Sequence, residues 1–297
     1  MFRIFDRAAA PALALLIEHP RTRAPEKIVI AASSDWLDQS GKVVFVTGAA
    51  RGIGRGIAEA FLAVGADVIL TDIDAVAVRA TARALGGTGI ELDVSSESAV
   101  DRTIADVVSN TGRLDVVVNN AGVYQGFGGP IVDMKTETWR KLMAINLDGV
   151  FYCCRAAARA MIKLNRGGRI INVSSVQAIT PGIGVSYDSS KAAVAQMTRT
   201  LALELAPHRI NVNAVAPGAT WVVEGAAAPQ IPGELPALAS GDAGPLAETV
   251  ADRLRRIPLR RWATPLEIGQ SAVFLASPMS THITGVYLPV DGGWLLL

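Results

Sequence analysis

Two groups of residues in this chain have the types and spacing that chemistry requires. Tyr187-Asp188-Ser189-Ser190-Lys191 sets a phenol and an ammonium one turn apart on one face of a helix. A phenol with a pKa of about 10 is a poor acid–base group at neutral pH, and a neighbouring cation lowers that value. Far upstream, Thr47-Gly48-Ala49-Ala50-Arg51-Gly52-Ile53-Gly54 follows a short apolar run and opens a helical pattern. Glycines let a backbone turn tightly and approach a phosphate. The N–H groups and positive dipole end of the following helix favour that anion. The pair of motifs implies a redox site that moves a hydride to or from a nicotinamide, with Tyr187 handling the proton.

Asp72 ends the next apolar run. A carboxylate there accepts both adenosine ribose hydroxyls and repels a 2′-phosphate, whereas Arg51 beside the turn would attract one. Asp72 is weighted more heavily, so NAD is expected and NADP is less favoured. Asp93 and Val94 follow the third run, where a carboxylate and an amide could read an adenine. Asp93 could equally be an ordinary helix-capping residue.

These residues need a scaffold, and the hydrophobic pattern supplies one. Short apolar runs at 42–46, 67–71, 89–92, 114–118, 169–173, 209–215 and 286–290 alternate with helical stretches at 53–64, 75–85, 98–110, 139–164, 186–206 and 265–276. Seven strands, mostly apolar on both faces, imply a parallel α/β sheet covered on both sides, with right-handed crossovers. Ligands in such sheets bind at the carboxyl ends of the strands. Asn119-Asn120-Ala121-Gly122, Ser174-Ser175 and Pro217-Gly218 lie at three such ends, and Tyr187 begins the helix after the fifth strand.

Composition narrows the classes. Half of the 297 residues are hydrophobic, enough for a large core, and the formal net charge of +1 argues against a polyanion surface. No nucleic-acid partner is expected. The two cysteines, Cys153 and Cys154, are adjacent, a poor geometry for bridging, and are expected to be reduced core residues in a cytoplasmic protein. His19, His208 and His282 are scattered, so no metal site is expected. No stretch is long enough to span a membrane. Ala8–Ile17 is short, and Asp6 and Glu18 argue against a signal peptide despite Arg3 and Arg7. Residues 1–40 read as an extension of unknown role before a catalytic domain at 41–297. The Pro- and Gly-bearing segment at about 218–256, with Trp221, Val222, Val223, Ile231 and Leu235, reads as a substrate lid.

From about residue 40 onward, these motifs resemble the short-chain dehydrogenase/reductases of the classical type. The resemblance implies a single-domain, Rossmann-type, doubly wound parallel sheet. It implies that Tyr187 is the acid–base group, Ser175 holds the substrate oxygen, Lys191 binds the nicotinamide ribose and assists Tyr187, and Asn146 fixes a water in a proton relay. Gly48, Arg51, Gly52, Ile53, Gly54, Asp72, Asp93, Val94, Asn120, Ala121, Gly122, Tyr187, Lys191, Pro217, Gly218 and Thr220 are the expected dinucleotide contacts.

Two departures stand out. The Ser175–Tyr187 segment is one residue short of the family's usual spacing, and Ser174 would restore the count; alignment through the strand favours Ser175. Val222 stands where the family often has Thr, and Thr220 could substitute.

The expected reaction is oxidation of a secondary alcohol, a polyol or cyclic cis-diol, or the reverse. One alternative is an NADPH-dependent 3-oxoacyl-thioester reductase, with Arg253, Arg255, Arg256, Arg260 and Arg261 as a basic patch for an acyl carrier. Another is a non-catalytic dinucleotide sensor. A homotetramer is implied by the resemblance. The apolar tail Trp294-Leu295-Leu296-Leu297 and the 139–164 helix are its candidate interfaces.

Overall fold

In Val43–Thr47 (β1), every residue is buried, because the strand lies in the sheet interior with a strand along each edge and helices on both faces. Val44 and Val46 face one core and Val43 and Phe45 the other. The structure is a computed structural model and describes residues 36–124, 129–222, 254 and 256–296. Most of the expected extension and of the expected lid lies outside the described residues.

The remaining strands are Asp67–Asp72 (β2), Thr88–Glu91 (β3), Val116–Asn119 (β4), Gly168–Val173 (β5), Ile210–Pro217 (β6) and Tyr287–Val290 (β7). All pair in parallel in the order β3-β2-β1-β4-β5-β6-β7. This is the doubly wound, Rossmann-type sheet expected from the alternation of apolar runs. Strand order reverses between β1 and β4, which opens a crevice at their carboxyl ends.

The helices are Gly52–Ala63 (α1), Ala75–Leu85 (α2), Glu97–Thr111 (α3), Thr136–Met143 (α4), Gly149–Leu164 (α5), Val185–Leu205 (α6) and Pro265–Ala276 (α7). Ile57 and Phe61 of α1 and Ile268 and Val273 of α7 fill the core on one sheet face. Val100 and Ile104 of α3, Met161 of α5 and Val194 of α6 fill the other. Each buried aliphatic side chain contributes about 1.5–3 kcal/mol of transfer free energy, so the two layers hold the strand ends in fixed relation. Local signals mark the ends. The Asp74 carboxylate accepts from the Ala77 N–H at the start of α2, and Gly86 ends it in the left-handed region. Thr264 and Glu267 form a reciprocal capping box at the start of α7.

The single helix expected over 139–164 is interrupted. Between α4 and α5, Ala144–Asp148 forms one π turn, closed by the Gly149 N–H donating to the Ala144 carbonyl. The wider turn shifts the helix face by one residue and places Asn146 inward, fully buried.

Candidate active site

The crevice is built first from backbone. Thr47 ends β1 with its hydroxyl accepting the Asn120 and Ala121 N–H groups, each at 3.0 Å. The Asn120 amide returns the contact, donating to the carbonyls of Thr47 at 3.0 Å and Gly48 at 2.9 Å. Gly48 has φ +63°, and a Cβ there would lie 2.7 Å from the Ala121 Cα. A Cβ on Gly54 would lie 2.1 Å from the Gly48 carbonyl oxygen. Both positions exclude side chains, and the start of α1 stays open to a phosphate. Gly52 is the turn's other left-handed glycine, Ile53 packs against the core and Arg51 is exposed.

Asp72 lies against the same turn. One carboxylate oxygen accepts the Ala50 N–H and the other the Asp74 N–H, each at 3.1 Å. Asp93 Oδ1 accepts the Ser95 N–H at 2.9 Å and the Ser95 hydroxyl at 2.7 Å, a local turn ahead of α3. Val94 is buried beside it. The glycine cradle and the carboxylate held against it fit a dinucleotide's pyrophosphate and ribose.

On the other side of the switch point, Gly122 faces Asn146 and Lys191, whose Oδ1 and Nζ bound the space a Cβ would take there. Asn146 Oδ1 accepts the Val123 N–H at 2.8 Å, and its Nδ2 donates to the Val123 carbonyl at 2.9 Å and to the Ser190 hydroxyl at 3.3 Å. The Ser190 hydroxyl donates in turn to the Tyr187 carbonyl at 2.7 Å. The segment after β4 and the catalytic-type helix α6 are therefore tied through one amide.

The reacting groups meet at the end of β5. Ser175 neighbours the Tyr187 phenol closely enough to oppose the rise of its pKa, although its own hydroxyl donates to Gln177 Oε1, whereas the Ser174 hydroxyl donates to the Lys191 carbonyl at 2.9 Å. Of the two serines, Ser175 is the one facing the phenol. Lys191 is 4 % exposed. Its ammonium donates to the Val173 carbonyl at 2.8 Å and lies 5.7 Å from the Tyr187 ring centroid. Burial lowers the Lys191 pKa to about 8.

The lowering of the Tyr187 pKa expected from the ammonium and the positive nicotinamide together is not produced by the protein alone. Burial raises it to about 12, only partly opposed by Ser175, with the Tyr124 and Asp188 charges raising it further. Lys191 acts on the ring face and is hydrogen-bonded elsewhere, so desolvation wins.

Pro217 closes β6, and a Cβ on Gly218 would lie 2.8 Å from the Asp291 Cα. The Thr220 hydroxyl donates to the Gly218 carbonyl at 3.2 Å. Val222 lies against Gly52, so it borders the phosphate turn instead.

Three contributors carried no sequence signal. Gln177, two residues beyond Ser175, accepts the serine hydroxyl at Oε1 at 2.7 Å. Tyr287, on edge strand β7, donates its hydroxyl to the Ser175 carbonyl. The Asp188 carboxylate accepts the Gly182 N–H at 3.0 Å and tethers the loop before α6.

Two surface expectations also change. Trp294 is 7 % exposed, packed with Val176, Leu254 and Ile257, with the Arg256 guanidinium 4.5 Å from its ring centroid; Leu296 is left exposed. Trp294 is thus covered by its own chain, and Leu297 lies outside the described residues. Of the supposed basic patch, Arg261 forms a two-point pair with Glu267, at 2.9 and 2.6 Å, and holds that carboxyl down at about 2. Arg256 is stacked on Trp294, and Arg253 and Arg255 lie outside the described residues. Among the described residues no His, Cys, Asp or Glu cluster could hold a metal. No described helix is long and apolar enough to cross a membrane. Cys153 and Cys154 are free and buried; burial pushes both thiols up, Cys154 to about 12.

A family model described as enoyl-(acyl carrier protein) reductase matches residues 48–295. A sorbitol dehydrogenase of Cereibacter sphaeroides is 38 % identical over 261 residues, 86 % of this chain and 98 % of that one. A 3-oxoacyl-[acyl-carrier-protein] reductase of Aquifex aeolicus is 33 % identical over 261 residues, 85 % of this chain and 97 % of that one. A crystal structure of a short-chain type dehydrogenase/reductase from Mycobacterium marinum superimposes with a TM-score of 0.76 at 33 % identity, covering 89 % of this chain and 99 % of that one. The chain belongs to the short-chain dehydrogenase/reductase family and is one of its oxidoreductases.

Proposed function

We propose that the protein is an NAD-dependent dehydrogenase that oxidises a secondary alcohol, of the polyol or cyclic-diol class, to a ketone. The reading is carried by the grouping of Ser175, Tyr187 and a buried Lys191 ammonium at the end of β5. Gly48, Gly52 and Gly54 would hold the pyrophosphate and Asp72 the adenosine ribose. Lys191 would hold the nicotinamide ribose. The bound nicotinamide supplies the acceptor for the hydride leaving the carbinol carbon. The carbinol O–H proton passes to the Tyr187 phenolate oxygen. Ser175 holds the substrate oxygen, and Lys191 favours the ionised phenol electrostatically. Asn146 orders the proton path behind Lys191. The similarity to a sorbitol dehydrogenase supports the alcohol class.

Asp72 supports NAD: its carboxylate, held beside the glycine turn by the Ala50 and Asp74 N–H groups, would repel the 2′-phosphate of a dinucleotide bound there. NADPH-dependent reduction of a 3-oxoacyl thioester is the second reading, favoured by exposed Arg51 and by the similarity to an acyl-carrier-protein reductase. A homotetramer is proposed with the 149–164 helix at an interface, where Phe151 and Ile162 are exposed. Buried reduced cysteines support a cytoplasmic setting.

The test is steady-state turnover of polyols, simple secondary alcohols, ketones and an acetoacetyl thioester, each with NAD(H) and NADP(H). Faster polyol oxidation with NAD is expected. Tight dinucleotide binding without turnover of any substrate would instead identify a sensor.

A further inference from the structure

The hydroxyl proton of Ser175 is already committed. It points to Gln177 Oε1 at 2.7 Å, and the same serine oxygen accepts the Gln177 backbone N–H at 3.2 Å. Gln177 is half-buried, and a Cβ on Gly182 would lie 3.1 Å from its Nε2, so the carboxamide lies between the serine and the loop tethered by Asp188.

The donor count then constrains the substrate. A ketone oxygen can only accept hydrogen bonds: Tyr187 offers the proton it has taken, and Ser175 adds a second donor only by supplying its own one proton. The serine must rotate off Gln177 to do so, which leaves Oε1 as a half-buried acceptor without a donor. Such a loss is unfavourable where water does not replace the donor. A second hydroxyl on the carbon next to the reacting one removes the penalty by donating to Oε1. The spacing matches: a gauche vicinal diol holds its oxygens about one hydrogen-bond length apart, ~2.8 Å, the separation found between Ser175 Oγ and Gln177 Oε1.

We infer that Gln177 is a specificity-determining residue that selects substrates bearing a hydroxyl on the carbon adjacent to the carbinol, the vicinal diols and polyols. The inference rests on the dehydrogenase reading and deepens it. An isolated secondary alcohol can be oriented by Ser175 and Tyr187 but leaves the carboxamide unmatched. A 1,3-related oxygen comes as close only in a strained diaxial arrangement, and the favoured diequatorial form holds it well beyond hydrogen-bond distance from the reacting oxygen. Sites that hydrogen-bond a substrate hydroxyl discriminate strongly against analogues lacking it.

The test compares cis-1,2-cyclohexanediol, cis-1,3-cyclohexanediol and cyclohexanol, which share one ring. With NAD, the wild type is expected to favour the 1,2-diol over the other two by about tenfold to a hundredfold in kcat/KM. In Gln177→Leu, and in the closely sized Gln177→Met should Leu fail to fold, that ratio should fall to within about threefold of unity, with unchanged NAD affinity as the folding check. A second arm needs no turnover: calorimetric titration of the three alcohols into NAD-saturated Tyr187→Phe protein, with and without Gln177→Leu. The 1,2-diol should bind about tenfold more tightly only where Gln177 is present. An equal 1,2-diol preference with and without Gln177, or no preference in the wild type, overturns the inference. Absence of turnover for every alcohol and ketone overturns the dehydrogenase reading, and the binding arm still decides the role of Gln177.

Discussion

The two ends of the crevice are made in different ways. At the dinucleotide end the active material is backbone: glycines that exclude side chains, carbonyls clasped by Asn120 and a carboxylate pinned by two N–H groups. At the reacting end it is buried ionisable side chains, with the Tyr187 and Lys191 pKa values displaced in opposite directions by desolvation. One end is specified by steric exclusion and tolerates few substitutions for space. The other is specified by electrostatics, where an isosteric substitution can leave the shape and remove the chemistry.

The sharpest way to break this contrast is Tyr187→Phe. It removes one hydroxyl, so turnover should fall by about 10²–10⁴-fold while dinucleotide affinity holds, as read by single-turnover kinetics and fluorescence titration. Near-normal turnover would make the Tyr187–Lys191 spacing incidental. The same variant isolates the phenol's titration by difference ultraviolet absorbance. Tyrosinate should form near the raised value of about 12 in the free protein. It should form at lower pH once oxidised NAD adds positive charge.

Gly54→Val tests the steric end. Its Cβ would meet the Gly48 carbonyl at 2.1 Å, so the turn must move. Dinucleotide affinity is expected to fall by about a hundredfold or more, with a loss of roughly 2–4 kcal/mol of stability by urea unfolding.

Lys191 tests the electrostatic end through stability. Below pH 8 it is charged both folded and unfolded, and the folded state carries the full desolvation penalty. Between about 8 and 10.5 the folded lysine is neutral while the unfolded one still binds its proton, so stability from this group rises with pH. Relative to Lys191→Met, the wild type should gain on the order of 2–4 kcal/mol over that window. Tyr187 has the opposite sign: its contribution is present below pH 10 and is lost as pH rises toward 12. A flat difference between wild type and Lys191→Met from pH 7 to 10 would show that the ammonium is well solvated.

Asp72→Ala brings a charge effect to the backbone end. It should shift the NAD-over-NADP preference by about 1–3 kcal/mol toward NADP, with little change in turnover at saturating NAD. The smallest effect is expected for Tyr287→Phe. That change frees the Ser175 carbonyl from the edge strand and should raise KM by a few-fold with a lesser change in kcat.

Local pattern made much of this legible. The apolar runs located all seven strands to within about two residues, because a strand buried on both faces leaves a continuous apolar signature. The glycine turn, Asp72 and the Tyr187–Lys191 pair were visible because each depends on short-range spacing. The π turn at Asn146 was not, since one extra residue in a helical ladder hardly alters periodicity. Strand alignment favoured Ser175 over Ser174, but the turn of the Ser174 hydroxyl to the Lys191 carbonyl carried no signal in the spacing.

The sequence by itself thus determined the layered sheet, the phosphate turn and the spacing of the tyrosine and lysine, all consequences of chain-local sterics and hydrophobic periodicity. Only the tertiary structure decided that Gln177 takes the serine's proton, that Tyr287 reaches Ser175 across 112 residues of chain, and that Trp294 folds under Arg256. It also decided the sign of the Tyr187 shift. Desolvation and long-range hydrogen bonds depend on what packs around a group, and only the packed sheet and helices bring those neighbours together.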